Sequence, residues 1–378
     1  MKKIYTIIAV LVVILIGAFT ANHTNQQKTK DTSPIKLGVS LPITGDAASL
    51  GEFIKNVSDM AIEKINAEGG IHGRNIELKY EDDACNPAKA VSVAQKLTSI
   101  DQVKIMVLST CSGAAIPVIP ITTKNGVFVF SGVTTSQDLT GVSPLFARTV
   151  PSNASQGQEL AKYAISKGFK DIAIVYEATD YPVSIKKSFT DVYTSDKGTV
   201  TEEGFTAGTT DFRSILTKIK AENPDAVFFI PGSPAVADRL TNSFEKLKWD
   251  VPLMGGDIFS GNSEVVKKYK VALEGMVIAE QRKGPESAEY IQFKNEYKQR
   301  FGKDLIYESH AQAQYDLYFI LRDGLKKYGD DPVKLAAYVR TVKNYPGFSG
   351  GITIDENGDR VGGHTVKVIR DGKSETNI

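Results

Sequence analysis

Histidine and cysteine are scarce, four and two in 378 residues. His23 lies in the N-terminal segment, and His72, His310 and His364 are far apart with no metal-ligand spacing, so no transition-metal site is expected. Charge of one sign is not in excess either. Lys and Arg number 45 against 44 Asp and Glu, a net charge of +1, without the basic cluster that a nucleic-acid binder needs. Enzyme signatures are missing. There is no P-loop and no GxGxxG after a strand, and the residues around Ser233 are not a GxSxG nucleophile elbow. Internal repeats are absent too. What remains is ordinary globular material, 42% hydrophobic and 24% charged. The length suits about two domains.

The chain starts with an export pattern. Lys2 and Lys3 precede a run from Ile4 to Ala21 in which Tyr5, Thr6 and Thr20 are the mildly polar members. Residues 1–21 are expected to be a signal peptide or an uncleaved N-terminal anchor. The small-x-small pattern at Ala18, Thr20 and Ala21 is only fair for cleavage, and about 18 apolar residues is near the minimum for a span. No cysteine follows the run, which excludes a lipoprotein anchor. Residues 22–34 read as a polar tether. In both versions the folded part is exported, to the periplasm or the outer face of the membrane.

From Ile35 short apolar runs alternate with helical periods. Strands are predicted at 35–40, 75–80, 103–108 and 127–130, and helices at 52–67 and 87–98. Ile54, Val57, Ala61, Ile62 and Ile65 share one stripe of the first helix, which Gly69-Gly70 ends. The rhythm restarts after Pro151. Helices at 154–167, 181–195, 212–221 and 235–246 alternate with strands at 171–176, 199–205, 226–230 and 251–254. Such alternation builds parallel, doubly wound sheets, so an α/β fold with two Rossmann-like lobes is expected. The end of the chain breaks the rhythm, with helices at 286–301, 308–328 and 332–342 and a hairpin over 351–370 turning at Asn357-Gly358-Asp359. Helices without strands need a sheet to cover, so this part is expected to return to the first lobe. Lobe 1 is then 35–150 plus 281–348, and lobe 2 is 151–280 plus 349–378. The crossings between them suit a hinge.

Three motifs carry a resemblance. Asn66-Ala67-Glu68-Gly69-Gly70 runs into Ile71-His72-Gly73-Arg74, then comes Glu81-Asp82-Asp83-Ala84-Cys85-Asn86-Pro87, and later Ser109-Thr110-Cys111-Ser112-Gly113. Together they resemble the branched-chain amino-acid-binding proteins, receptors of the type I periplasmic-binding-protein fold that feed ABC importers. The resemblance runs from about Ile35 to the turn at 355–359. Each motif alone is weak; the series is specific. It implies a clamshell of two lobes joined by a three-strand hinge, no cofactor, a membrane permease as partner, a monomer, and a disulfide between Cys85 and Cys111 beside the cleft. Two cysteines in an exported chain are more often bonded than reactive. A catalytic thiol would need a histidine partner, and none is near in sequence.

Ser112 stands where a helix should start, before Ala114-Ala115-Ile116. A hydroxyl and free N–H groups there can receive a carboxylate, and can equally be a plain N-cap. The resemblance implies the first, for the α-carboxylate of a ligand, with Gly113 beside it, Thr135 as a second carboxylate group and Val133 as its backbone partner. Thr134 and Thr135 also follow a predicted strand, and ligands of open α/β sheets bind at such ends, although a polar turn explains them as well. Asp257 matches the family's acidic position for the ligand ammonium, one methylene shorter than the usual Glu; a turn aspartate is the alternative. Tyr181 matches an aromatic that covers the ligand, and otherwise packs at a helix start, where Pro182 is tolerable.

The departures from the family bear on specificity. Leu50 stands where many relatives carry an aromatic ring, and Pro231-Gly232-Ser233-Pro234 replaces a segment that offers a tyrosine. Tyr307 is a candidate to fill part of the gap. A wider or more aliphatic pocket is expected, for a small branched-chain or similarly aliphatic amino acid. Amides, ureas and aromatic acids are the alternatives among relatives, and a membrane-anchored sensory protein is the rival role. An enzyme is not expected.

Overall fold

The computed structural model describes residues 32–260 and 264–376. The signal or anchor segment at 1–21, most of the tether and His23 lie outside the described residues. Five strands, β1 (Ile35–Leu41), β2 (Ile76–Asp82), β3 (Ile105–Leu108), β4 (Phe128–Ser131) and β5 (Phe146–Arg148), form a parallel sheet in the order β2-β1-β3-β4-β5. They are linked by α1 (Ala48–Ala67), α2 (Pro87–Gln95), α3 (Ser112–Ala115) and α4 (Val118–Lys124). The predicted stripe of α1 is buried, with Ile54, Val57, Ala61 and Ile65 fully inaccessible. Gly70 (φ +61°) turns the chain into β2, and a Cβ there would meet the Arg74 carbonyl oxygen at 2.2 Å.

A second sheet takes β6 (Asp171–Glu177), β7 (Thr199–Phe205), β8 (Ala226–Ile230), β9 (Leu253–Gly255) and β10 (Val277–Gln281), all parallel, in the order β10-β9-β8-β6-β7. Helices α5 (Ala154–Ser166), α6 (Asp180–Ser195), α7 (Arg213–Ala221), α8 (Pro234–Leu247) and the short α9 (Glu264–Lys268) cover it. Apolar clusters lie on both of its faces, which is why β6 and β8 read as continuous apolar runs while the edge strand β7 does not.

Then α10 (Ala288–Phe301), α11 (Glu308–Tyr328) and α12 (Pro332–Arg340) return to the first sheet. Tyr290, Phe293, Leu317 and Leu335 share one core with Leu37, Val39, Phe128 and Phe130. The chain therefore passes between the sheets three times, after β5, after β10 and before the final strands.

The expected hairpin over 351–370 is not one hairpin. Instead β11 (Tyr345–Gly347) pairs with β12 (Gly350–Ile352), and the turn at 355–359 closes on itself through Asp355 N–H to Asp359 O at 2.9 Å. The last strands, β13 (His364–Arg370) and β14 (Lys373–Glu375), extend the second sheet, β13 lying antiparallel to β10. The open edge of β10 offers β13 a full row of hydrogen-bonding groups, which its own preceding loop does not. Neither β5, three residues long, nor β10 announces itself in the sequence; both are short, fully buried runs without a period.

Candidate ligand cleft

Residues from both sheets meet at the C-terminal ends of their strands around about 600 Å³ of space, part of it open to solvent. Open α/β sheets bind ligands at these ends, because there the loops diverge and backbone groups become free. Of the expected residues, Leu50, Ser112, Val133, Thr135, Tyr181, Asp257 and Tyr307 line the space, and Cys111 borders it. Thr134 and Gly113 do not. The Thr134 hydroxyl donates inward to the carbonyls of Leu108 (3.3 Å) and Thr110 (3.1 Å), tying its loop to the end of β3. At Gly113 a Cβ would come 2.7 Å from Asp180 Oδ2, so glycine there lets α3 approach the start of α6.

The wall from the first sheet is held from behind. Cys85 and Cys111 are joined by a disulfide, with their Cα atoms 5.3 Å apart. Closing such a loop stabilises by roughly 3–4 kcal/mol in the chain-entropy model. Beside it the buried Asp83 accepts from Ser40 Oγ (2.6 Å), Thr110 Oγ1 (2.7 Å) and Cys85 N–H (2.9 Å). Burial pushes the Asp83 carboxyl up, and these hydrogen bonds oppose the rise. Arg148, fully buried, pairs with Asp359 through Nε (2.7 Å) and Nη2 (2.8 Å). Its Nη1 donates to the carbonyls of Thr134 (3.2 Å) and Ser136 (2.8 Å). Asn153 N–H takes the Thr135 carbonyl at 2.8 Å. With its carbonyls drawn backward, this loop keeps Thr135 on the cleft. Ser112 opens α3, and its Oγ accepts from Ser136 N–H at 3.2 Å, so its own proton is left for an acceptor in the cleft.

The opposite wall carries charge. Asp257, 5% exposed, follows β9, and its Oδ1 accepts from the Tyr181 hydroxyl at 2.5 Å. Its Oδ2 stands 3.6 Å from His310 Nε2. Burial, then the Asp257 charge, hold the Tyr181 phenol well above its usual range, so it stays a donor. Tyr307 begins α11 in a left-handed conformation (φ +47°), an uncommon backbone state for a bulky residue. It places its ring 6.1 Å from Phe53 and donates to Ile258 O at 3.4 Å.

Gly232 and Pro234, from the segment that departs from the family, line the cleft as well, and so do Thr110, Ile258 and His310, which were not expected. His310 lies three residues after Tyr307, a spacing that puts both on one helical face. Gly232 donates its N–H to Glu177 Oε2 at 2.9 Å, and a Cβ there would press within 2.8 Å of that carboxylate. At the rim Arg239 of α8 reaches Asp46 before α1, with Nη2–Oδ2 at 2.7 Å and Nη1–Oδ1 at 3.3 Å. Among the described residues no group of three or more His, Cys, Asp or Glu could hold a metal ion. No helix among them is long and apolar enough to cross a membrane.

Two doubly wound sheets that share a cleft at their strand ends define a two-lobed solute-binding fold, and the Periplasmic binding protein family matches residues 34–372. The chain belongs to that family, among its branched-chain amino-acid-binding members. The Leu/Ile/Val-binding protein BraC3 of Rhizobium johnstonii is 30% identical over 337 residues, covering 86% of this chain and 88% of that protein. The substrate-binding protein LivJ of Streptococcus pneumoniae, solved with isoleucine, is 26% identical with a TM-score of 0.80, covering 90% of this chain and 98% of that one. The leucine-binding protein LivK of Thermotoga maritima is alike in fold, with a TM-score of 0.82 at 23% identity, covering 91% and 98%.

Proposed function

We propose that this chain is an exported receptor that traps a small amino acid, branched-chain or similarly aliphatic, and delivers it to the permease of an ABC importer. One observation carries the reading. Hydroxyls of Ser112 and Thr135 stand on one wall of the cleft and the Asp257 carboxylate on the other, with Leu50, Val133, Pro234 and Ile258 supplying apolar surface. A zwitterion with an aliphatic side chain complements that arrangement. The names of the relatives support the same ligand class.

In this reading the lobes are 35–150 plus 281–348 and 151–280 plus 349–378, hinged at the three passages. The ligand carboxylate docks first on Ser112 and Thr135. The second lobe then closes, bringing Asp257 to the ammonium and Tyr181 over it. The closed form is selected because it alone makes both sets of contacts. The ligand leaves unchanged, so the receptor acts as a monomeric carrier and not as an enzyme. Residues 1–21 direct export.

Mass spectrometry of solute released by denaturing the purified chain tests this. Thermal shifts with leucine, isoleucine, valine, urea, short amides and benzoate complement it. Release of a branched-chain or similar aliphatic amino acid is expected; an amide or aromatic acid in its place overturns the ligand assignment.

A further inference from the structure

Asp257 is the one acidic side chain lining the cleft among the described residues, and a histidine faces it. His310 Nε2 stands 3.6 Å from Asp257 Oδ2, the two side chains being 12% and 7% exposed. Docking of a carboxylate and an ammonium makes no use of this imidazole. We propose that His310 decides which head group the Asp257 end of the cleft accepts. As a neutral ring it leaves the carboxylate to the ligand's ammonium. As an imidazolium it is itself the cation on Asp257, and an incoming ammonium is turned away. This deepens the amino-acid reading above and rests on it.

The surroundings isolate the pair. Asp257 Oδ1 is engaged by Tyr181 of α6, so Oδ2 is the oxygen that His310 and a ligand cation contend for. The phenols of Tyr181 and of Tyr307, one turn before His310, are pushed up by burial and stay protonated. His364 of β13 is held down to about 4 by burial and by the charge of His310, although Asp257 and Glu159 pull the other way. Glu308, on the same helix, faces Lys283 at 3.3 Å and Lys294 at 4.0 Å. Cys111 is locked in its disulfide. His310 is therefore the imidazole set against Asp257 Oδ2.

Proton and ammonium then exclude each other at one carboxylate. By linkage, affinity for an α-amino acid falls as pH falls, approaching about tenfold per pH unit once the imidazole is charged, and binding expels up to one proton. A lost ammonium site affects the amino acid and spares a ligand of the same shape without the cation.

The test is isothermal titration of L-leucine and L-isoleucine into the full chain from about pH 8 to about pH 5. Two buffers of different ionisation enthalpy report the protons released, and far-UV circular dichroism checks folding at each pH. The unaltered protein is expected to lose at least about tenfold in affinity across the range, with proton release at the acid end. His310→Gln is expected to bind with a flat profile and no proton release. A flat profile in the unaltered protein, or an unchanged slope in His310→Gln, overturns the role of His310 and leaves the amino-acid reading standing. Failure of both amino acids to bind at pH 8 overturns that reading and this role with it. Should His310→Gln not fold, the proton count on the unaltered protein decides alone.

Discussion

The two walls of the cleft are built on different principles. Behind Ser112 and Thr135 stand a disulfide, the buried Asp83 with three donors, and the Arg148–Asp359 pair gripping the carbonyls of the 134–136 loop. That wall presents neutral hydroxyls from a frame that is already cross-linked. Among the described residues no such frame surrounds Asp257. One phenol and one imidazole contact its carboxylate, and the imidazole belongs to α11, which covers the other sheet. A rigid neutral wall costs little ordering when a ligand arrives, while a charged wall assembled across the cleft makes binding depend on closure and on protons.

Breaking the frame of the first wall should show the largest effect. Arg148→Met leaves Asp359 buried without its partner and is expected to cost about 3–5 kcal/mol of folding stability, read from the denaturant midpoint. A change below about 1 kcal/mol would mean that the wall does not depend on this pair. On the charged wall, Asp257→Ala should leave the fold intact and weaken an amino-acid ligand by about 2–5 kcal/mol in calorimetry. Undiminished affinity there contradicts the amino-acid reading.

The pH response should also divide the walls. His364 ends the second sheet opposite Gln281, its Nδ1 2.6 Å from Ser155 Oγ, and burial lowers its pKa from 6.5 to about 4. A depressed histidine favours the folded state while it is neutral. Its contribution is complete above about pH 6.5 and is lost as pH falls toward 4, at most about 3 kcal/mol. His364→Gln should flatten stability between those values, and an unaltered acid slope would reject the assignment.

Smaller effects follow. Ser112→Ala is expected to reduce affinity by about 1–3 kcal/mol and to lower the melting temperature as well, since it strands both a ligand acceptor and the buried N–H of Ser136. If the melting temperature falls while affinity holds, the serine only ties its helix start to the Ser136 loop and is not a receiver. Arg239→Ala, cutting a rim ion pair to the half-exposed Asp46, should change affinity by under about 1 kcal/mol, seen chiefly as faster ligand release in stopped flow.

Much of this was legible along the chain because it rests on local rules. The stripe of α1, the alternation of strands and helices, and the position of Ser112 at a helix start follow from periodicity and from where backbone N–H groups are free. Thr134 and Thr135 were not separable in that way. They are neighbours in one turn, and whether a hydroxyl points to the cleft or to the carbonyls of Leu108 and Thr110 is decided by β3, which lies beside them only in the fold. His310 was passed over because scarcity of histidine speaks against metals and says nothing about one imidazole set against a carboxylate 53 positions earlier. The strand β13 read as part of a hairpin because its true partner, β10, is distant in sequence and carries no period of its own.

By itself, then, the sequence determined the class of the fold, the two cysteines beside the cleft, and the residue types able to meet a carboxylate and an ammonium. The first follows from periodicity, within reach of a few residues; the other two follow from the motifs at 66–74, 81–87 and 109–113 that resemble a known family. The tertiary structure alone decided which wall is braced by Arg148 and Asp359, that the Thr134 hydroxyl is spent on the carbonyls of Leu108 and Thr110, and that His310 stands against Asp257. Each of these joins residues far apart along the chain, and burial and partners across such distances exist only once the sheets and helices have packed.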